Sequence, residues 1–193
     1  MSAHDRVHWD EIYRARLDDR LPAPDPLLLH YVPPVVSDGR QRPPIALDLA
    51  CGLGQNGLWL AEQGYTVDLL DVSRTALLRA QEEAGQRRLR EVNFIQADLD
   101  EIMIERDRYD LVCVFRFLNR RIMSAIRAAV RTGGRIVYET YNTRHVESHP
   151  DFNPDYLLSP GELTGYFGDW RVLHGGEPES ISQIVALKPE RRP

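Results

Sequence analysis

The run Ala46-Leu47-Asp48-Leu49-Ala50-Cys51-Gly52-Leu53-Gly54-Gln55-Asn56-Gly57 constrains this chain more than any other. In it an apolar stretch passes through a glycine-rich turn into Leu58-Trp59-Leu60-Ala61-Glu62-Gln63, whose composition suits a helix. The expected order is strand, tight turn, helix. Gly52 and Gly54 let the backbone take positive φ and come close to a ligand with no Cβ in the way, while Gly57 lets the helix pack tightly on the strand. A ligand held by such a turn sits at the helix N-terminus, where unpaired backbone N–H groups face outward. The segment satisfies G-x-G-x-x-G, a pattern that points to a nucleotide without saying which.

The strands that follow end in acids. Thr66-Val67-Asp68-Leu69-Leu70-Asp71 is apolar enough for a buried parallel strand and finishes in a carboxylate. Asp71 is placed there to accept hydrogen bonds from the two hydroxyls of an adenosine ribose. Ser73 suits the cap of a helix whose buried face carries Ala76, Leu77, Ala80 and Ala84. A third strand over 92–97 is followed by a second acid, Asp98. A fourth, Tyr109-Asp110-Leu111-Val112-Cys113-Val114-Phe115, leads into Arg116-Phe117-Leu118-Asn119-Arg120-Arg121. Ligands of open α/β sheets bind outside the carboxyl ends of the strands. Arg116 and Arg120 are therefore candidates to hold an anionic substrate. Arg127 and Arg131 read as a solvated helix face. Thr132-Gly133-Gly134 turns into a fifth strand over 135–140, in which Glu139 is either a base or a structural hydrogen-bonding group. Two closing strands, 170–174 and 181–187, join through Gly175-Gly176. Strands alternating with helices, then two strands together, predict a three-layer α/β/α sandwich.

Flanking segments fill in the rest. Trp9, Ile12, Tyr13 and Leu17 recur at helical spacing near the N-terminus. Asp25 suits the cap of a short helix that has Pro26 at its first position. Residues 1–44 are expected to form an N-terminal helical cap and 142–160 a lid or substrate loop, within one domain spanning 1–193. His145 and His149 stand four residues apart, but no third ligand accompanies them, so no metal is expected. The chain opens on polar residues and has no apolar span long enough to cross a bilayer, and its two cysteines, Cys51 and Cys113, lie in apolar stretches. A cytoplasmic protein with reduced thiols and no membrane association is expected. A net charge of −5 offers no general attraction to nucleic acid.

The residues from Asp48 to Ala61, with Gly64-Tyr65-Thr66-Val67-Asp68 and Asp71-Val72-Ser73, resemble the first two motifs of class I S-adenosylmethionine-dependent methyltransferases. They are most similar to the tellurite-resistance and thiol methyltransferase branch, with Gln55 where that branch typically carries arginine. The resemblance implies a Rossmann-like, mostly parallel seven-stranded sheet with the last strand antiparallel. It also implies a cofactor-binding set of Tyr13, Asp48, Gly52, Gly54, Asn56, Asp71, Val72, Asp98, Leu99 and Phe115. In that set Asp98 takes the adenine amino group, the Leu99 N–H faces the ring, and Tyr13 folds over the methionine end. Methyl transfer to a thiol or to a tellurium or selenium oxyanion would follow, with Arg116 and Glu139 positioning a small-molecule acceptor and S-adenosylhomocysteine as the product. The same glycine turn also serves NAD-dependent oxidoreductases and non-catalytic cofactor-binding modules. A nicotinamide site needs no second strand-end acid, so Asp98 and the two paired closing strands count against it.

Overall fold

The structure is a computed structural model that describes residues 3–15, 20–36 and 42–190. Leu17, the polar run 37–41 and the tail 191–193 lie outside the described residues. The strands form one seven-stranded sheet in the order β3-β2-β1-β4-β5-β7-β6. β7 (Ile181–Leu187) runs antiparallel to both β5 (Val130–Tyr141) and β6 (Arg171–Gly176). The sandwich with an antiparallel last strand is thus as expected.

By their contacts the residues divide into two compact units, 1–103 and 104–193. In the first, β1 (Ile45–Leu49) pairs in parallel with β2 (Thr66–Asp71), and β2 with β3 (Val92–Gln96). The interior of these strands is apolar because both faces are covered: Ala46, Leu47, Leu49, Val67 and Leu69 are fully buried. α3 (Gln55–Glu62) follows β1 directly and ends before Gly64, whose φ of 97° closes the helix. α4 (Arg74–Gln86) is capped by Ser73, whose hydroxyl accepts from the Ala76 N–H, and it buries Ala76, Leu77, Ala80 and Ala84 as the spacing predicts. α2 (Pro26–Tyr31) starts with Asp25 accepting from the Leu27 N–H, and Pro26 occupies its first turn. The N-terminal helix, α1 (Ala3–Ala15), packs against α4.

In the second unit, β4 (Tyr109–Phe115) pairs in parallel with β5. α5 (Met123–Ala129) passes straight into β5, which is longer than the expected 135–140. Thr132-Gly133-Gly134 lies inside that strand as an irregularity, the register jumping from Tyr109↔Val130 to Leu111↔Arg135. Extra residues opposite a shorter partner segment bulge outward without ending the strand. The segment after β5 holds two 3₁₀ turns, Thr143–Glu147 and Pro154–Tyr156, and an isolated Asn142↔Leu158 bridge. α6 (Glu162–Phe167) then leads to β6 and β7. Cys51 and Cys113 are free and buried, and among the described residues no helix is long and apolar enough to cross a membrane.

Candidate active site

The turn after β1 is drawn tight by backbone bonds. The Cys51 N–H donates to the Leu70 carbonyl at 3.0 Å and the Gly54 N–H to the Cys51 carbonyl at 2.9 Å, with Gly52 and Gly54 at φ 54° and 76°. Two predicted site residues brace this turn. Asp48, 1% exposed, accepts from the Gly57 N–H at 2.8 Å and so satisfies a donor in the first turn of α3. Asn56 accepts from the Asp25 N–H at 2.8 Å, tying the cap of α2 to the start of α3.

Asp71 is the centre of the first unit. One of its oxygens accepts from the Gly52 N–H at 2.8 Å and the other from the Ser73 N–H at 2.8 Å. Burial pushes its carboxyl above the usual carboxylate range, against the pull of the N–H groups of Ser73, Gly52 and Val72, and the Asp10 charge adds to the rise. Val72 is buried, and its carbonyl accepts from the Gln96 amide at 3.2 Å, which links the ends of β2 and β3. Asp98 lies just beyond β3, half-buried, and accepts from the Asp100 N–H at 2.9 Å. Its neighbour Leu99 is fully buried. Tyr13 reaches the turn from α1, its hydroxyl oxygen 2.5 Å from where a Cβ on Gly52 would stand. Sequence reasoning missed Asp10, which accepts from the Ser73 hydroxyl at 2.6 Å and the Thr75 N–H at 3.0 Å. Its partner lies 63 residues away, and helical spacing carries no signal over that distance.

In the second unit the end of β4 carries a polar chain. Phe115 is half-buried, and Arg116 follows it with φ 56°. The Arg116 N–H donates to the Glu139 carbonyl at 2.8 Å, and its guanidinium forms an ion pair with the Glu139 carboxylate. The other Glu139 oxygen accepts from the Gln183 amide, and the Gln183 amide oxygen meets His174 Nε2 at 3.0 Å. Glu139, 2% exposed, is therefore engaged on both oxygens. The Arg116 guanidinium lies over the Tyr141 ring at 5.5 Å, Tyr141 stacks on His145 at 4.0 Å, and His145 stacks on His149 at 4.2 Å. Phe152 closes the group edge-on to Tyr141 and His145. His145 Nδ1 is buried without a hydrogen-bond partner, and burial and the neighbouring His149 push its pKa down. These histidines are arranged face to face, and among the described residues no group of three or more His, Cys, Asp or Glu could hold a metal ion.

Arg120 does not stand ready for an anionic substrate. Its Nε and Nη2 donate to the two Glu162 oxygens at 2.7 and 2.9 Å, and Nη1 and Nη2 donate to the Asp155 and Leu157 carbonyls, both at 2.8 Å. Glu162 was absent from the expected set because nothing in the sequence marks an acid 42 residues away as a partner. Arg127 grips Asp169 and Arg131 pairs with Asp110, so neither is a bare solvated cation.

Residues 46–134 match the family model described as "Methyltransferase domain". The chain is 28% identical over 155 residues to Hemagglutinin 1 of Eikenella corrodens, covering 76% of this chain and 50% of that protein. It is 27% identical over 139 residues to the probable S-adenosyl-L-methionine-dependent methyltransferase TehB of Haemophilus influenzae, covering 68% of this chain and 47% of that one. The chain thus spans about half the length of these curated relatives. The crystal structure of TehB from Haemophilus influenzae superposes with a TM-score of 0.66 at 21% identity, over 76% of this chain and 58% of that one. A structure named for the conversion of a disulfide bond into a thioacetal group during echinomycin biosynthesis gives 0.72 at 22% identity, over 98% of this chain and 94% of that one. The glycine turn, the strand-end acids and these likenesses agree: residues 46–134 carry a methyltransferase-like domain, and the chain is similar to S-adenosylmethionine-dependent methyltransferases such as TehB.

Proposed function

We propose that this chain transfers a methyl group from S-adenosylmethionine to a small-molecule nucleophile. The observation that carries the reading is Asp71: a buried carboxylate at the end of β2, with one backbone N–H on each oxygen, set against a glycine turn whose Gly52 leaves room for the Tyr13 hydroxyl. A carboxylate oxygen has more than one lone pair, so each remains able to accept a ribose hydroxyl. The residues fit the cofactor on this ground. Gly52, Gly54, Asp71, Val72, Asp98 and Leu99 are proposed to hold the adenosine, with Tyr13 over the methionine end. Asp48 and Asn56 are proposed to act by holding the turn. When bound, S-adenosylmethionine supplies an electrophilic methyl on a sulfonium, so displacement requires mainly a close, aligned and partly desolvated nucleophile. Positioning of that kind lowers a barrier by roughly 7–11 kcal/mol.

Arg116 is the group proposed to orient the acceptor, braced by Glu139. A thiol is favoured over a tellurium or selenium oxyanion, because Arg116, Arg120 and Arg144 each already pair with a carboxylate. A cytoplasmic setting suits the two free buried thiols. Calorimetry with S-adenosylhomocysteine and NAD, followed by product detection on a panel of thiols, tellurite and selenite, tests the proposal. NAD binding without S-adenosylhomocysteine binding overturns it. Cofactor binding with no turnover on any acceptor favours a binding module.

A further inference from the structure

No described side chain of α1 is fully buried: Asp10, Ile12 and Tyr13 are half-buried, and Val7 and Trp9 are exposed. A helix that buries so little apolar surface is not held by the hydrophobic effect alone. Its polar attachment is Asp10, which reaches the N-terminus of α4. There the Thr75 N–H has no partner within the helix, and the helix dipole favours a negative charge. Ser73 divides its hydroxyl between the two sides, accepting from the Ala76 N–H and donating to Asp10. The backbone N–H of Ser73 meanwhile holds Asp71, Asp71 holds the Gly52 N–H, and Tyr13, three residues along α1 from Asp10, lays its hydroxyl against Gly52. The contacts close a ring: Gly52, Asp71, Ser73, Asp10, Tyr13 and back to Gly52.

We propose that Asp10 is the positioning residue that seats α1 over the cofactor turn, so that cofactor binding at Asp71 and the placement of Tyr13 are one coupled event. The inference rests on the cofactor reading above. Loosely packed elements open most readily. α1 lifts to admit the cofactor and is latched by Asp10 afterwards, which returns Tyr13 to Gly52. The latch adds no atom to the cofactor's own contacts. It sets how often Tyr13 is in place.

S-adenosylhomocysteine affinity measured by calorimetry on the full chain tests this. Asp10→Ala is expected to weaken binding about tenfold or more, the loss of a hydrogen bond to a charged group. Asp10→Asn, which keeps an acceptor oxygen, restores most of it. Tyr13→Ala in the Asp10→Ala background adds little, because both changes break the same ring. Hydrogen exchange along α1 rises in Asp10→Ala and stays unchanged in α3. If the unaltered chain does not bind S-adenosylhomocysteine, the cofactor reading fails. If it binds and Asp10→Ala binds equally well, or if the Asp10 and Tyr13 effects simply add, the latch is refuted while the cofactor reading stands.

Discussion

Gly57→Ala sets two well-calibrated effects against each other at the start of α3. Alanine is more favourable than glycine inside a helix by about 0.8–1.0 kcal/mol. The new Cβ, however, would stand 2.1 Å from Leu69 Cδ2, 3.1 Å from Asp48 Oδ2 and 3.2 Å from Asp48 Cβ. Carbon atoms rest at roughly 3.5–4.0 Å, so Leu69 must yield by more than an ångström, and it is fully buried on β2. Overpacking of this kind costs about 1–3 kcal/mol. The Gly57 N–H bond to Asp48 is strained in the same movement. The net expectation is a loss of about 1 kcal/mol, read as a fall of roughly 2–4 °C in the midpoint of reversible thermal unfolding. Weaker S-adenosylhomocysteine binding is expected alongside, since Leu69 lies two residues before Asp71. Gly85→Ala is the matched control: it is also helical, in α4, with nothing within 4 Å of the new Cβ, and it should gain up to about 1 kcal/mol. Equal stabilisation by both changes would refute the argument, because the close approach of α3 to β2 would then cost nothing.

Asp71→Ala should weaken S-adenosylhomocysteine binding by about 1.5–3 kcal/mol, and it should also lower the thermal midpoint, because the Gly52 and Ser73 N–H groups lose their acceptor. Asp71→Asn, which keeps one acceptor oxygen, should recover part of the stability but less of the affinity. Arg120→Ala should leave the thermal midpoint of the whole chain nearly unchanged while raising hydrogen exchange over 154–163, since it frees the Asp155 and Leu157 carbonyls and Glu162 together. The segment around His145 should loosen as pH falls. Its folded pKa lies below the ordinary 6.5, so the opened segment binds the proton more readily, and the stabilisation present above 6.5 is lost as pH drops towards the folded value. Hydrogen exchange corrected for intrinsic rates should therefore rise over 142–152 on acidification, and His145→Phe should abolish that dependence.

What the sequence revealed was what repeats locally. The glycine turn, the acid ending β2 and the Asp25-Pro26 helix start all depend on neighbours within a few residues, and each has the form its residues dictate. The 12-residue β5 ran past its expected start because Gly133 and Gly134 promote a bulge as readily as a turn, and only pairing with β4 distinguishes the two. Arg116 and Arg120 read as candidates for an anion and Arg127 and Arg131 as a solvated face, yet each finds its own acid, Glu139, Glu162, Asp169 and Asp110. Charge partners separated by tens of residues follow no period. Asp10 escaped for the same reason, since nothing local distinguishes a docking acid from a solvated one.

The guanidinium of Arg120 fixes a length as well as a place. By binding the carbonyls of Asp155 and Leu157 and the carboxylate of Glu162 at once, it sets the number of residues between those points, and an insertion there would break at least one grip. The stretch from Thr143 to Asn153 is held in another way, by the stack of Tyr141, His145, His149 and Phe152 and by the Arg144–Glu177 ion pair, so ring contacts shape the first half of the segment and one guanidinium spaces the second.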